Sequence, residues 1–222
     1  KYLDDLAERI DEKIESDHYK QWVDFTEDNF SGQMFIPGRE SKIPPKIEWP
    51  EIGINEAIED KDKMALQQFK GCSEVLKNGG GSFLAVRCNY GTSILPSLFD
   101  KVELFIMNEK LNTLPTSRPL PEGKEDIKEL VKKGVPDINK NFGEKVFEMG
   151  EYFKEIIEEY EEFQDHVYLY HPDLQGPMDI CEVLWGIDLF LDINDEPQLV
   201  HDMLEIITET YIKFMEAWTQ IV

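Results

Sequence analysis

The stretch HVYLYHPDLQGPMDICEVLWG, residues 166–186, decides the fold of this chain. It begins with a β-branched and aromatic run over 167–170, which predicts a buried strand. Gly176 and Pro177 end that strand, and proline suits the first turn of the helix that we predict next. A strand that breaks into polar residues and continues as a helix is typical of α/β proteins.

Polar groups follow this strand at its carboxyl end, where parallel α/β folds bind their ligands. They are His171, Asp173, Gln175 and the backbone of Gly176. His171 is the candidate for general acid or base chemistry near neutral pH, because an ordinary imidazole titrates in that range. Alternatively, these residues only form a turn and cap the next helix, and spacing alone does not separate the two interpretations.

A second strand, predicted at 82–87, has the same arrangement. The sequence NGGG at 78–81 ends a helix predicted at 54–77, and RCNYGT at 87–92 follows the strand as a polar turn. Because the glycines precede their strand, they cannot bind a phosphate at a helix start. The chain also contains no GxGxxG and no GxxxxGK[ST] motif, which argues against a dinucleotide or nucleoside triphosphate site.

The remaining pattern is mainly helical. We predict a helix over 2–30, a proline-rich linker on the surface to residue 50, a strand at 102–107 and a loop at 111–121. Further helices are predicted at 123–133 and 141–164, from Pro177 to Trp185, and from Pro197 onward. The apolar face of the last helix predicts that it covers a sheet. The acidic cluster DINDE at 192–196 lacks calcium-loop spacing, so helix capping is the favoured interpretation.

Composition excludes several classes of function. The 222 residues include 46 acidic and 23 basic side chains, a net charge of −23, which argues against nucleic-acid and anionic-membrane partners. The acids of 144–162 alternate with apolar residues at helical spacing and predict a solvated helix face. Three widely separated cysteines indicate a reducing compartment and no zinc motif. No apolar run reaches membrane-spanning length, so we expect a cytoplasmic protein.

Three segments resemble the uroporphyrinogen decarboxylase superfamily: RCNYGTSILPSLF at 87–99, PDLQGPMDICEVLWG at 172–186 and DEPQLVHDMLEIIT at 195–208. The resemblance implies a TIM-type (β/α)₈ barrel with its site at the carboxyl ends of the strands. The superfamily holds cofactor-free decarboxylases, which are lyases, and zinc-dependent methyltransferases that take a methyl group from a corrinoid protein. It also has many bacterial relatives with no assigned reaction.

The resemblance implies that the barrel is present only as its incomplete N-terminal part. We expect residues 1–50 to form an added helical segment with the proline-rich linker, and residues 51–222 to form a partial barrel domain. A closed barrel needs further strands. We therefore expect the native polypeptide to continue beyond Val222, and this segment alone to be inactive.

Departures from the decarboxylases favour a methyltransferase-like enzyme. Their early Arg-Gln-Ala-Gly-Arg motif is echoed only by Gly38-Arg39, and their aspartate after the second strand corresponds to Asn89. Because Asn89 carries no charge, it cannot stabilise a protonated pyrrole as a carboxylate does. Asp173 is a candidate substitute. A cofactor-free decarboxylase therefore remains the alternative, and a non-catalytic binding module on the same fold is the second alternative.

These arguments assign the following site. The catalytic candidates are His171 and Asp173, and no residue of the segment is assigned as a metal ligand. The substrate-binding candidates are Arg87, Asn89, Tyr90, Thr92, Gln175 and Gly176. Arg87 is expected to pair with a substrate carboxylate. We expect a small-molecule substrate, no cofactor within this segment, zinc as a candidate cofactor of the complete protein, and a corrinoid protein and a homodimer as candidate partnerships.

Overall fold

The computed structural model describes residues 1–106, 110 and 112–222. They form two compact units. The first comprises residues 1–87 and 152–170, and the second comprises residues 88–151 and 171–222. The division into residues 1–50 and 51–222 remains a prediction. No helix of the described residues is both long enough and apolar enough to cross a membrane.

The first unit opens with four helices: α1 (Tyr2–Ala7), α2 (Glu12–Thr26), α3 (Ile54–Glu59) and α4 (Lys61–Asn78). The helices predicted at 2–30 and 54–77 are therefore each interrupted once. At both interruptions an aspartate begins the second helix. Asp11 accepts hydrogen bonds from the backbone of α2, and Asp60 does the same for α4. Gly79 ends α4 with φ +66°, as the glycine run predicted.

The linker between α2 and α3 is not simply a surface segment, because Arg39 lies buried within it. Its guanidinium forms a bidentate ion pair with Glu15, with Nε–Oε1 and Nη2–Oε2 distances of 2.6 and 2.7 Å. The same group donates to the carbonyl oxygens of Gly80 and Ser82. These bonds fix the linker to α2 and to the segment that leads into the first strand.

That strand, β1 (Leu84–Arg87), pairs in parallel with β4 (Val167–Tyr170). The register places Leu84 opposite Val167 and Arg87 opposite Tyr170. Helix α4 packs against β1, and Phe69 of α4 stacks on Phe163 with ring centroids 5.4 Å apart. Strands and helices mix as predicted for an α/β fold, but helices dominate. Strands β1 and β4 are the parallel pair that the described residues form. The closed barrel remains a prediction.

The acidic segment predicted at 141–164 forms α6 (Phe142–Glu159) and α7 (Glu161–Gln164). Six of the seven apolar positions that recur at alternating spacings of four and three residues are buried, and the seventh, Tyr160, stacks on Phe163. The buried positions are Phe142, Val146, Met149, Phe153, Ile156 and Phe163. The interpretation of the acids as the outer face of an amphipathic helix is confirmed.

The second unit contains β2 (Leu104–Phe105), β3 (Thr116–Ser117), α5 (Lys124–Lys133), α8 (Pro177–Trp185), α9 (Leu189–Asp195) and α10 (Pro197–Trp218), with a short 3₁₀ turn at Pro96–Leu98. Strands β2 and β3 are antiparallel. The strand predicted at 102–107 is therefore shorter, and Thr116–Ser117 pairs where a loop was predicted. Met107 and Leu111, at the ends of those predictions, lie outside the described residues.

Two predictions about the last helix are wrong. Helix α10 packs against α5, α8 and α9 rather than covering a sheet, because helices surround its apolar face. The preceding acidic cluster does not cap α10 through its side chains, since Glu196 makes no capping bond. Asp192 is buried instead, where it accepts a hydrogen bond from Trp185 Nε1 at 3.0 Å and forms an ion pair with Lys124.

Candidate functional site

The loop at residues 171–176, between β4 and α8, alternates between buried and exposed side chains. Pro172 and Leu174 are buried, whereas His171 and Gln175 are exposed and Asp173 is half-buried. The buried residues anchor the loop, so its polar side chains face outward in a defined order. The predicted catalytic residues therefore stand on a segment that the core of the second unit holds in place.

Hydrogen bonds orient the polar groups of this loop. His171 Nδ1 lies 2.8 Å from the carbonyl oxygen of Pro172 and must donate to it, because that oxygen only accepts. In the neutral ring this leaves Nε2 as the acceptor nitrogen. Gln175 Nε2 donates to Asp173 Oδ1 at 2.7 Å. The Gly176 N–H donates to Asp179 at 3.3 Å, so the helix already uses this backbone donor.

The backbone of Gln175 is strained, with φ +57°. The Cβ atom of any residue other than glycine disfavours this left-handed region, and such residues recur at binding sites where the surrounding structure enforces them. A hydrogen bond thus joins Asp173 and Gln175, both of which are predicted site residues.

The loop at residues 88–92, which follows β1, also alternates. Tyr90 is buried with its ring 5.5 Å from that of Phe142, whereas Asn89 is half-buried and Thr92 is exposed. Gly91 has φ +77° and lies against Leu114, which limits this position to glycine. Asn89 and Thr92 are thus the predicted substrate residues that this loop presents outward, and Tyr90 packs in the core.

Arg87 is the last residue of β1, half-buried, with its backbone N–H donating to Gln68 Oε1 at 3.2 Å. Its position opposite Tyr170 means that the chain leaves β1 and β4 at neighbouring strand ends. A side chain in this place suits the predicted pairing with a substrate carboxylate.

The cysteines do not fit a zinc–thiolate centre. All three are buried thiols, and burial raises the pKa of Cys72 and of Cys181 to about 12 and raises that of Cys88 as well. A cysteine binds zinc as its thiolate, and such burial disfavours the thiolate. Within the described residues, the group of potential ligands that lie close together is instead His201, Asp202 and Glu205 on α10.

Sequence reasoning missed that group. The spacing His-Asp-x-x-Glu was the available signal, because residues four apart on a helix share a face.

No protein-family model matches the chain, and no curated protein matches it. Among solved structures, its fold is similar to that of a methyltransferase from Methanosarcina mazei, with a TM-score of 0.57 and 17% sequence identity. The match covers 82% of this chain and 52% of the methyltransferase, so the chain spans about half the length of that protein. At this level of identity the likeness concerns the fold.

Proposed function

We propose that this chain forms part of a methyltransferase of the uroporphyrinogen decarboxylase superfamily. Its reaction would move a methyl group from a corrinoid protein to a zinc-activated thiol. The observation that carries the proposal is the pair of polar loops that leave neighbouring ends of β1 and β4. In parallel α/β folds this is where substrates bind. The fold shared with a methyltransferase across 82% of the chain supports it.

In this proposal the two loops bind and orient the substrate. The Asp173–Gln175 pair offers a carboxylate oxygen and an amide oxygen as acceptors for substrate N–H or O–H groups. Arg87 is the proposed partner of a substrate carboxylate, and within the second unit Asn89 and Thr92 offer further polar groups. His171 receives or returns a proton at Nε2, since Nδ1 is committed to Pro172.

Zinc enters the proposal only as a group held outside the described residues. A bound zinc ion would favour the thiolate form of a thiol substrate. The buried cysteines of this chain do not fit as its ligands.

The test is a methyl-transfer assay on the complete product of the gene that encodes this chain. Methylcobalamin serves as the methyl donor and a panel of small thiols as acceptors. We expect loss of the methyl–cobalt absorption and formation of a methyl thioether, detected by mass spectrometry. Release of CO₂ from a porphyrinogen, without methyl transfer to any thiol, would contradict this proposal and favour the alternative, a cofactor-free decarboxylase.

Variants of the loop make the test specific. Asp173→Ala removes a charged hydrogen-bonding group, and about 1.5–3 kcal/mol of lost substrate interaction corresponds to a fall in kcat/KM of roughly ten- to a hundredfold. Gln220→Ala, a change at an exposed glutamine near the C-terminus, is the matched control and should leave kcat/KM unchanged. Equal kcat/KM for both variants would remove Asp173 from the site.

A further inference from the structure

Three side chains with metal-binding atoms meet on the outer face of α10. The ligand atoms of His201, Asp202 and Glu205 all lie within 4.8 Å of one another. His201 and Glu205 are four residues apart and Asp202 and Glu205 are three apart, so the helix itself places them on one face. None of the three belongs to the loops at 88–92 and 171–176.

The helix holds these residues on a rigid support. Between and beside them, Val200, Met203 and Ile207 are buried and fix α10 to its neighbours. Gln198, one turn earlier, donates from Nε2 to Asp202 Oδ1 at 2.7 Å. Such a bond orients a carboxylate in the way that outer hydrogen bonds orient metal ligands.

The spacing can close around an ion. Zinc takes nitrogen and oxygen ligands at about 2.0–2.2 Å, so the donors of a tetrahedral site lie about 3.4 Å apart. The observed separations need side-chain movements of about 1 Å, which exposed or half-exposed side chains make by small rotamer changes. An imidazole with two carboxylates suits first-row divalent ions, whereas Ca²⁺ and Mg²⁺ prefer oxygen ligands alone.

The surroundings favour a cation. Among the residues that the structure describes, no lysine or arginine forms an ion pair with Asp202 or Glu205, and the chain carries a net charge of −23. His201 and Glu205 also line a shallow cleft with Leu204, Thr208 and Glu209. Glu209, one further turn along, can contribute a fourth oxygen.

We propose that His201, Asp202 and Glu205 form a site for a first-row divalent transition ion such as Zn²⁺. The remaining coordination positions are open to water or to Glu209. This site is independent of the proposed methyl transfer, because it uses no residue of the two substrate loops.

Isothermal titration of the 222-residue chain with Zn²⁺, Ca²⁺ and Mg²⁺ tests the proposal. We expect Zn²⁺ to bind at one site at least about tenfold more tightly than the other two ions. His201→Ala should weaken Zn²⁺ binding at least about tenfold and leave Ca²⁺ binding unchanged. Glu216→Gln removes the same charge as Glu205→Gln from the same helix, but only Glu205→Gln should weaken Zn²⁺ binding.

A gain of affinity completes the test. Glu205→His creates two imidazoles one turn apart and should tighten Zn²⁺ binding, because paired histidines at this spacing chelate zinc on a helix. Zn²⁺ affinity that equals Ca²⁺ affinity and does not change in His201→Ala overturns the proposal. That result would assign the binding to unspecific attraction by an acidic surface.

Discussion

Replacing Arg39 with methionine should strongly destabilise the first unit. Methionine fills much of the arginine volume but leaves the Glu15 carboxylate buried without its partner, with only 4% of that side chain exposed. It also removes the donors to the carbonyl oxygens of Gly80 and Ser82. The perturbation therefore leaves one charge and two backbone acceptors unsatisfied just before β1.

Removing one member of a buried ion pair costs about 3–5 kcal/mol, most of it from the uncompensated charge. For a chain of this size, that loss lowers the melting temperature by roughly 6–20 °C. Urea denaturation followed by far-ultraviolet circular dichroism measures the free energy of unfolding directly. The matched control is Arg118→Met, because the contact that the described residues show for the Arg118 side chain is its stacking on Phe105, which is worth about 0.5–1 kcal/mol.

The double variant Arg39→Met with Glu15→Leu separates charge from packing. Replacing both partners by apolar residues removes the buried charge, so the double variant should be more stable than Arg39→Met alone. If Arg39→Met costs no more than Arg118→Met, and the second substitution restores nothing, the ion pair does not stabilise the unit and the reasoning is refuted.

Three further outcomes follow from the described geometry. Burial and the positive charge of Arg39 lower the pKa of His18, so His18 takes up a proton on unfolding when the pH is below the ordinary histidine value near 6.5. The contribution of His18 to stability is therefore complete above that pH and declines as the pH falls. His18→Gln should flatten this decline, measured as urea midpoints between about pH 7 and 5. Gln175→Gly relieves a left-handed backbone conformation that costs about 1–2 kcal/mol, against about 0.5–1 kcal/mol of added chain entropy and about 0.5–1.5 kcal/mol for the lost hydrogen bond to Asp173. Thermal denaturation should therefore show nearly unchanged stability while the proposed methyl transfer falls, and a loss of more than about 2 kcal/mol would contradict the strain. Gly150→Ala places a Cβ 2.7 Å from Trp218, and this overpacking should cost about 1–3 kcal/mol, visible as a lower urea midpoint; a more stable variant would show that the contact relaxes freely.

The sequence predicts well those elements that a glycine or proline ends or begins. Gly79 ends α4, Pro177 begins α8 and Pro197 begins α10, because backbone geometry alone favours these residues at these places. Asp11 and Asp60 cap α2 and α4 just as locally. The helical spacing of apolar residues continues across both aspartates, however, so the sequence predicts one helix where the structure has two.

The features that the sequence does not reveal depend on distant partners. Arg39 is buried because Glu15 and the carbonyls of residues 80 and 82 meet it, and no local pattern contains those contacts. Tyr90 is buried because its ring packs against the ring of Phe142, which lies far away in the sequence. The partners of α10 are equally hidden, because an apolar helix face packs against a sheet or against other helices and its sequence does not distinguish the two.

The parallel pairing of β1 with β4 has a consequence for the order of synthesis. Arg39, His18 and Trp22 leave the ribosome before the carbonyl groups of residues 80–82 that they bind, so the start of the first unit can assemble early. Strand β1 then waits for Val167 before the pairing that the structure describes can form. During that interval the backbone groups of β1 that later pair with β4 are unpaired, and such an edge is open to strands of other chains.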